Sequence, residues 1–330
     1  MSFLPSEEVK QCLILNYKNP RSHSCVDRNP GVVTPKAGSQ RERKLDSCLH
    51  RKPWIPAFAG MTLRKMEINI FQAIFLGVVQ GLTEFLPVSS SGHLVFFQSL
   101  FGMEEPQLFF DVMLHFGTLL AVMVYFRRDI SGIIRGIGSM VTGKRKNEEG
   151  TKLFFSILVA TLPTALMGLL FKDWFESLFS KPNIVGGMLL ITGSILWLTR
   201  WVKKEGRLLE KMKWTDAILI GVAQGIATIP GISRSGATIS MGLFCGLNRE
   251  LAGRFSFLLS IPAILGATFL EMRKISGTSE LLFAAMGTVA AFGVGILSLA
   301  FLMKLIRVGK LSNFSYYCFG MGLLMFLLAK

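Results

Sequence analysis

Long uncharged runs limit the folds open to this chain more than any other feature of its sequence. Five stretches approach or reach the length of a membrane span without a single Asp, Glu, Lys or Arg: 153–171, 183–199, 255–270, 281–303 and 311–329. A bilayer core of about 30 Å is crossed by about 20 helical residues, so each stretch is a candidate transmembrane helix. A sixth span is expected near 108–126, which contains Asp111 and His115. A soluble protein would need a long polar segment to cover this many buried helices, and none follows residue 66. The sequence therefore predicts an all-α polytopic membrane protein.

The first 65 residues differ from the rest of the chain. They are polar, show no helical or strand periodicity, and lack the apolar core of a signal peptide. We interpret 1–65 as an extension outside any domain, either disordered or ahead of a natural start at Met66, and 66–330 as the membrane domain. The formal net charge of +15 does not indicate nucleic acid, because the Lys and Arg residues of the membrane domain lie in short loops rather than on one basic face.

An internal repeat runs through the membrane domain at a spacing of 144 residues. GVVQGLTEFLPVSSSGH (77–93) aligns without a gap to GVAQGIATIPGISRSGA (221–237), with matching glycine, glutamine and serine positions. Each copy is an apolar stretch, a break rich in Pro, Gly and Ser, and a second stretch too short to span, over 89–101 and 235–245. The pattern predicts two re-entrant helix pairs, each followed by three full spans, with the first repeat at about 66–205 and the second at about 210–330. The paired glycines of each apolar stretch indicate close helix contacts.

The number of spans in each repeat decides how the repeats are oriented. Because each repeat has an odd number of spans, three, the second repeat has the opposite orientation across the membrane. Lys and Arg mark the cytoplasmic side: 18 of them fall in 127–152, 200–213, 304–310 and 246–254, against 4 in 98–107, 172–182 and 271–280. The first re-entrant pair is therefore expected to open to the outside and the second to the cytoplasm, with their tips meeting near the membrane midplane.

Three ionisable residues fall at the two breaks: Glu84, His93 and Arg234. A charged group at membrane depth costs about 2.5–3.5 kcal/mol on insertion scales, so such groups usually mark a functional site. A purely structural Glu84–Arg234 ion pair is the alternative, but it leaves His93 and the surrounding hydroxyls unexplained.

The serines at the breaks predict an anion site. Ser89, Ser90 and Ser91 begin one short helix, and Ser233 and Ser235 begin the other. The free N–H groups and the positive end of a helix dipole favour a bound anion at such positions, although serines also act there simply as N-caps. Arg234 adds a planar set of donors suited to phosphate oxygens.

Two further groups of residues extend this candidate site. Gln80 and Glu84 share a helix face and offer oxygen ligands to a divalent cation such as Mg²⁺ or Ca²⁺; Glu84 is alternatively a general base. His93 is a candidate general acid or base, since imidazole titrates near neutral pH. Asp111 and His115 are four residues apart and either extend the site or, for Asp111 at the outer end of its span, are solvated.

At these residues the sequence resembles the undecaprenyl-diphosphate phosphatase family, the bacitracin-resistance proteins of bacterial cytoplasmic membranes. The resemblance rests on QGLTEF followed by PVSSSGH and on PGISRSGAT (230–238), and it covers essentially all of 66–330. It implies a divalent-cation-dependent enzyme that dephosphorylates undecaprenyl diphosphate to recycle the lipid carrier of peptidoglycan synthesis, with its site facing the periplasm. It also implies an inverted repeat with re-entrant helix pairs.

The family's motifs fall on residues already singled out. The acidic motif falls on Gln80 and Glu84, the next motif on Ser89, Ser90 and His93, and the phosphate-binding motif on Ser233, Arg234, Ser235 and Thr238. Some members of that family have Glu where this chain has Gln80, so this chain has one possible anionic metal ligand fewer.

The expected chemistry is in-line attack on the terminal phosphorus, with Arg234 and helix-end N–H groups holding the phosphoryl oxygens. Either Ser90 is the nucleophile with His93 as its base, or His93 or Glu84 activates water.

The other membrane phosphatase superfamily is excluded, because Ser240 and Phe244 stand where its histidine and aspartate should be. A lipid-phosphate flippase using the same midplane anion site is the serious alternative. The expected partners are a polyprenyl diphosphate and the bacterial membrane; a homodimer is left open.

Overall fold

The computed structural model describes residues 68–103, 108–141, 148–179, 181–202, 205–271 and 278–328. Over these ranges the chain forms α-helices and short 3₁₀ turns, without a β-strand. The helices are α1 (Ile70–Thr83), α2 (Ser90–Leu100), α3 (Leu108–Tyr125), α4 (Arg127–Val141), α5 (Glu148–Leu170), α6 (Lys172–Phe179), α7 (Pro182–Leu198), α8 (Trp214–Ile226), α9 (Arg234–Phe244), α10 (Arg249–Glu271), α11 (Thr278–Val308) and α12 (Phe314–Leu328). The predicted extension over 1–65 lies outside the described residues.

Four segments are long and apolar enough to cross a membrane: Glu148–Leu170, Pro182–Trp201, Arg249–Leu270 and Leu281–Val308. They coincide with four of the uncharged runs. A fifth candidate combines α3 with α4, which are bent by 76° at Phe126. The apolar helix at the end of the chain, Leu311–Leu327, is shorter than a span. The chain is therefore an all-helical protein with four or five candidate membrane spans among its described residues, and six full spans stay a prediction.

Both expected breaks are present, and each is followed by a short helix. The chain leaves α1 after Thr83 and starts α2 at Ser90; it leaves α8 after Ile226 and starts α9 at Arg234. Helices α2 and α9 each have 11 residues, too few to span a bilayer. In the second break Gly231 has φ +95°, and a Cβ there would lie 2.3 Å from the Val185 carbonyl oxygen. Glycine is required at this position by backbone conformation and by the close approach of α7.

Small residues allow the helices that enter each break to pack closely on the opposite half of the chain. A Cβ at Gly77 of α1 would lie 2.4 Å from the Gly287 carbonyl oxygen of α11. A Cβ at Gly221 of α8 would lie 2.1 Å from the Ala160 carbonyl oxygen of α5. The predicted packing role of the paired glycines is thus confirmed, and each break is attached to a long helix of the other half.

Ion pairs join the Lys- and Arg-rich segments at one end of the helix bundle. Arg254 of α10 contacts Asp129 of α4 and Glu149 of α5, the latter at 3.0 Å. The guanidinium of Arg307 lies 2.7 Å from Glu250, and that of Arg207 lies 2.9 Å from Asp216. The basic segments that were assigned to the cytoplasmic side therefore share one end of the structure.

Candidate functional site

The two breaks meet inside the helix bundle. The Ser235 hydroxyl lies 3.4 Å from the Leu86 carbonyl oxygen, and Arg234 Nη1 lies 3.5 Å from Glu84 Oε1. A Cβ at Gly236 would lie 3.4 Å from Pro87 Cβ. The contact between the tips that the repeat predicts is present, and it brings the acidic side chain of one break to the basic side chain of the other.

Glu84 is the residue on which most polar contacts of the site converge. Its Oε2 accepts a hydrogen bond of 2.6 Å from the Ser90 hydroxyl and one of 3.0 Å from Gln80 Nε2. His115 Nε2 lies 3.4 Å from the same oxygen. Because Gln80 is one turn earlier on α1 and Ser90 begins α2, the two helices of the first break hold the carboxylate between them.

Each break begins its second helix with the same serine cap. The Gly92 N–H donates to Ser89 Oγ over 3.3 Å, and the Gly236 N–H donates to Ser233 Oγ over 3.1 Å. The neighbouring hydroxyls follow the same plan, with Ser89 and Ser91 3.3 Å apart and Ser233 and Ser235 3.2 Å apart. Ser89 and Ser233 are thus N-caps, which was the alternative to anion binding for these serines.

Ser89 has an unusual backbone conformation. Its φ of 66° is the one positive φ at a residue other than glycine among the described residues. Such conformations cost on the order of 1–3 kcal/mol and persist only where surrounding contacts impose them. The cap at this position is therefore held by its neighbours rather than by local preference.

His93 lies beside this cap and is hydrogen-bonded at both ring nitrogens. Its Nδ1 lies 2.8 Å from the Ser89 carbonyl oxygen, and its Nε2 lies 2.7 Å from the Tyr317 hydroxyl of α12. The His93 and Tyr317 rings are stacked, with centroids 5.7 Å apart. His93 is among the residues that the sequence predicts for the site, but the hydrogen bonds of its ring go to Ser89 and Tyr317 rather than to Ser90 or Glu84.

The Thr238 hydroxyl is hydrogen-bonded within the protein. Its hydroxyl donates to the Arg234 carbonyl oxygen over 2.8 Å and contacts the Ser256 hydroxyl. These contacts lie within α9 and between α9 and α10. The Thr238 hydroxyl therefore helps to fix the turn that carries Arg234, and its phosphate contact stays a prediction.

A cavity of about 500 Å³ opens beside the cluster. One part of its lining is polar, with Glu84, Ser90, Ser91, Asp111, His115, Ser233 and Arg234. Most of the remaining lining is apolar and comes from α5, α6 and α10, including Leu169, Phe175, Phe179 and Leu270. The cavity therefore combines a charged, hydroxyl-rich end with a hydrophobic wall long enough to accept part of a lipid chain.

Two buried atoms of residues that contact Glu84 make no hydrogen bond: Gln80 Oε1, which lies behind the cavity lining, and Arg234 Nη1, which lies at ion-pair distance, 3.5 Å, from Glu84 Oε1. The first is an acceptor and the second is a donor. A divalent cation fits the first, because an amide oxygen beside a carboxylate is a suitable ligand pair for Mg²⁺ or Ca²⁺. The described residues contain no group of three His, Cys, Asp or Glu side chains placed to hold a metal ion. A cation here would take its remaining ligands from water and from phosphate oxygens.

Asp111 and His115 both line the cavity, which favours the first of the two alternatives given for this pair. Asp111 is 7% exposed and accepts a hydrogen bond of 2.7 Å from Gln98 Nε2, so it is not a solvated residue at the end of a span. His115 Nδ1 lies 2.7 Å from the Asp111 carbonyl oxygen, which turns Nε2 toward Glu84. The four-residue spacing in α3 was the available sequence signal for this pair.

Gln98 and Tyr317 were missed, because no local pattern connects them to the breaks.

Comparison with known proteins gives consistent matches over the membrane domain. A family model described as bacitracin resistance protein BacA matches residues 73–324. The undecaprenyl-diphosphatase of Desulforapulum autotrophicum is 45% identical over 268 residues, covering 78% of this chain and 97% of the relative. That of Desulfosudis oleivorans is 48% identical over 261 residues, covering 76% and 95%. That of Carboxydothermus hydrogenoformans is 46% identical over 261 residues, covering 77% and 95%. The matched region contains both breaks and all of the site residues described above.

Proposed function

The chain belongs to the bacitracin resistance protein BacA family, and on that basis we propose that it is an undecaprenyl-diphosphatase. The reaction removes the terminal phosphate of undecaprenyl diphosphate and gives undecaprenyl phosphate and inorganic phosphate. It recycles the lipid carrier for peptidoglycan synthesis and thereby confers resistance to bacitracin. The flippase alternative has no support in the three relatives described above, each of which is named undecaprenyl-diphosphatase.

The observation that carries this proposal is the position of Glu84, Ser90 and Arg234 at one end of a largely apolar cavity. A polyprenyl diphosphate has the matching form, with a doubly phosphorylated head and a long hydrocarbon chain. The head would lie at the polar end, where the Arg234 guanidinium lines the cavity beside Glu84, and the first isoprene units would lie against Leu169, Phe175 and Leu270. Burying the chain supplies affinity through the hydrophobic effect, and the charged end supplies orientation.

The contacts of Glu84 favour one of the nucleophiles that the sequence left open. Because the Ser90 hydroxyl already donates to Glu84 Oε2 over 2.6 Å, Glu84 is placed to accept its proton as Ser90 Oγ attacks the terminal phosphorus. Undecaprenyl phosphate leaves, and water then cleaves the phosphoserine. Arg234 and the N–H groups at the start of α2 and α9 hold the phosphoryl oxygens as charge develops on them. Ser91, Ser233 and Ser235 complete the hydroxyl lining around these oxygens.

Gln80 Oε1 and Glu84 are the protein atoms that would hold Mg²⁺ or Ca²⁺. When bound, the cation supplies charge neutralisation at the phosphate oxygens. Gln80 also donates to Glu84 through Nε2, so its side chain fixes the carboxylate while its oxygen stays available. This arrangement suits a cation that keeps several waters and binds mainly through the substrate.

The proposed topology is an inverted repeat with six full spans and a site that opens to the periplasm of the bacterial cytoplasmic membrane. The equivalent caps at Ser89 and Ser233 support the repeat, as do the equivalent contacts of Gly77 and Gly221 with the opposite half. The Lys- and Arg-rich segments lie together at one end of the helix bundle, which supports the assignment of that end to the cytoplasmic side. All of the site residues come from one chain, so the reaction does not require the homodimer that the sequence leaves open.

Phosphate release from undecaprenyl diphosphate by the purified protein in detergent tests this proposal. We expect release that depends on added Mg²⁺ or Ca²⁺ and stops with EDTA. Arg234→Ala should lower turnover by about 100-fold or more, as expected for the loss of a donor to developing charge. Arg135→Ala is the matched control, because Arg135 is exposed on α4 and distant in the fold from the breaks.

Two results would contradict the proposed function. A folded, metal-supplied wild-type protein that releases no phosphate would exclude the phosphatase. Release that is equal in the wild type and in Arg234→Ala would mean that the measured activity does not arise at this site.

A further inference from the structure

We propose that His93 and Tyr317 form a tether that positions Ser90, and that His93 is not the base of the reaction. The inference rests on the proposed phosphatase function and concerns the same site. It follows from the contacts of the His93 ring, from the backbone conformation of Ser89, and from the helix on which Tyr317 lies.

The hydrogen bonds of His93 leave its ring without a free nitrogen. A carbonyl oxygen can only accept, so the contact of 2.8 Å with Ser89 places the proton on Nδ1. In the neutral ring Nε2 is then an acceptor, and the Tyr317 hydroxyl donates to it over 2.7 Å. The ring is 3% exposed and stacked on Tyr317. To act as a base toward Ser90, His93 would have to lose Tyr317 and turn out of this position.

The group that His93 holds belongs to the peptide unit leading into Ser90. The Ser89 carbonyl and the Ser90 N–H lie in one planar unit, so fixing the carbonyl direction also fixes the N–H and Cα of Ser90. The same carbonyl also accepts the His93 backbone N–H over 3.2 Å, so the ring adds a second and shorter contact to a peptide unit whose Ser89 φ of 66° is not favoured locally. Turning this peptide would move the Ser90 hydroxyl away from Glu84 Oε2, which it now meets at 2.6 Å.

Tyr317 brings the other end of the tether from a distant part of the chain. It lies on α12, which packs against α7, and α7 in turn contacts Gly92 of α2 through Leu189 and Val185. Tyr317 therefore connects the C-terminal helix to the start of α2 without entering the cavity lining. It is a positioning residue, and Glu84 is the group in contact with the Ser90 hydroxyl.

Three substitutions separate a tether from a base. His93→Asn keeps an N–H donor near the position of Nδ1, so it can still hold the Ser89 carbonyl. His93→Gln places its amide nearer to the position of Nε2, so it can still reach Tyr317 but not the carbonyl. Tyr317→Phe removes one hydroxyl and leaves the ring stack. The measurements are kcat, KM and the pH profile of kcat for phosphate release from undecaprenyl diphosphate.

The tether predicts that His93→Asn keeps kcat within about tenfold of the wild type and His93→Gln does not, whereas losing a general base costs about 10²- to 10⁴-fold in either variant. Under the tether His93→Asn also keeps the shape of the wild-type pH profile, and Tyr317→Phe lowers kcat more than it changes KM. Equal, severe losses in His93→Asn and His93→Gln, or loss of one limb of the pH profile in His93→Asn, would overturn the proposal.

A stability measurement keeps this proposal separate from the proposed function. The thermal unfolding midpoint in detergent is compared for the wild type, His93→Asn, Tyr317→Phe and the double variant. The tether predicts that the Tyr317→Phe effect largely disappears when His93 is already replaced, because the hydroxyl has then lost its partner. Strict additivity would contradict the tether even if the wild type released no phosphate, and coupling would support it whatever the enzyme's substrate.

Discussion

At the residue scale, the site contains buried polar atoms of opposite chemistry that lack hydrogen-bond partners. Gln80 Oε1 is an acceptor without a partner, and Arg234 Nη1 makes no hydrogen bond although it lies 3.5 Å from Glu84 Oε1. Leaving a polar group buried without a partner costs roughly 1–3 kcal/mol. A ligand that contains both a cation and an anion would give Gln80 Oε1 a cation to bind and would give Arg234 Nη1 a hydrogen-bond acceptor. A metal-bound diphosphate is such a ligand.

Gln80→Leu should raise the Mg²⁺ concentration needed for half-maximal phosphate release. The substitution removes the free amide oxygen and also the donor to Glu84 Oε2. Gln80→Glu supplies a second carboxylate and should lower that concentration below the wild-type value. A metal titration of phosphate release compares the three proteins at one substrate concentration. The same half-maximal metal concentration in all of them would mean that Gln80 is not a ligand.

Ser90→Ala should abolish phosphate release while leaving the fold intact. The substitution removes the hydroxyl that donates to Glu84 Oε2 but changes no backbone contact. Ser99→Ala is the matched control, since Ser99 is on the same helix and exposed. Rapid quenching of the wild type with labelled substrate should also trap a phosphorylated peptide that contains Ser90. Turnover by Ser90→Ala near the wild-type rate would point to water as the nucleophile.

Local sequence patterns account for much of the site at this scale. The serines, Glu84 and Arg234 are found from the sequence because each lies in a short motif at a break. His93 is found for the same reason, but its contact with Tyr317 is not, because 224 residues separate the two. The contact of Gln98 with Asp111 is also missed, since α2 and α3 meet only in the folded chain. Residues that are distant in the sequence and meet only in the folded protein show no recognisable spacing in the sequence.

At the element scale, helices that enter the breaks are held by backbone contact rather than by large side chains. Gly77 places α1 against α11, and Gly221 places α8 against α5. In a membrane there is little hydrophobic gain from helix association, so close packing at small residues supplies much of the attraction. The positions of Glu84 and Arg234 therefore depend on glycines that lie about two turns before each break.

Gly77→Ala should destabilise the protein and lower its turnover. The added Cβ would lie 2.4 Å from a backbone oxygen of α11, which cannot move aside as a side chain can. Overpacking of this kind typically costs about 1–3 kcal/mol. Gly293→Ala on α11 is the matched control, because a Cβ there meets nothing within 4 Å. Thermal unfolding in detergent measures both, and equal midpoints would show that α1 can shift without cost.

Helix lengths show where sequence reasoning about elements succeeds and where it does not. The runs over 153–171, 183–199, 255–270 and 281–303 all correspond to helices of span length. The run over 311–329 is uncharged throughout, but a 3₁₀ turn over Leu311–Asn313 takes up its start. The span near 108–126 ends at a sharp bend into α4. Lack of charge predicts that a segment is apolar, but not where its helix begins or bends.

At the scale of the whole molecule, the two halves of the membrane domain contact each other in two places, at the basic end of the helix bundle and within the site. Arg254 of the second half contacts Asp129 and Glu149 of the first half near the basic loops. Arg234 of the second half contacts Glu84 of the first half within the bundle. Neither half contains a complete polar site by itself. The repeat is therefore predictable from the sequence, whereas its relative placement depends on these contacts between distant residues.

Cysteine labelling should reveal which loops lie on each side of the membrane. In a background without native cysteines, Ser99→Cys and Lys181→Cys should react with a membrane-impermeant maleimide added to intact spheroplasts. Glu205→Cys and Lys310→Cys should react only after the membrane is opened. All four positions are exposed in the structure, so accessibility depends on the membrane rather than on burial. The reverse pattern would invert the proposed orientation, and a mixed one would contradict the inverted repeat.

The apolar wall of the cavity also determines how substrate reaches the enzyme. Leu169 and Leu270 line it while remaining 67% and 46% exposed, so the wall continues onto the outer surface of the helix bundle. A long prenyl chain can leave through that opening and stay among the lipids while its head reacts. Enzyme and substrate then meet by lateral diffusion in the plane of the membrane. The reaction rate therefore depends on the moles of substrate per mole of lipid. Added detergent would slow the reaction by surface dilution, even at a constant bulk concentration of substrate.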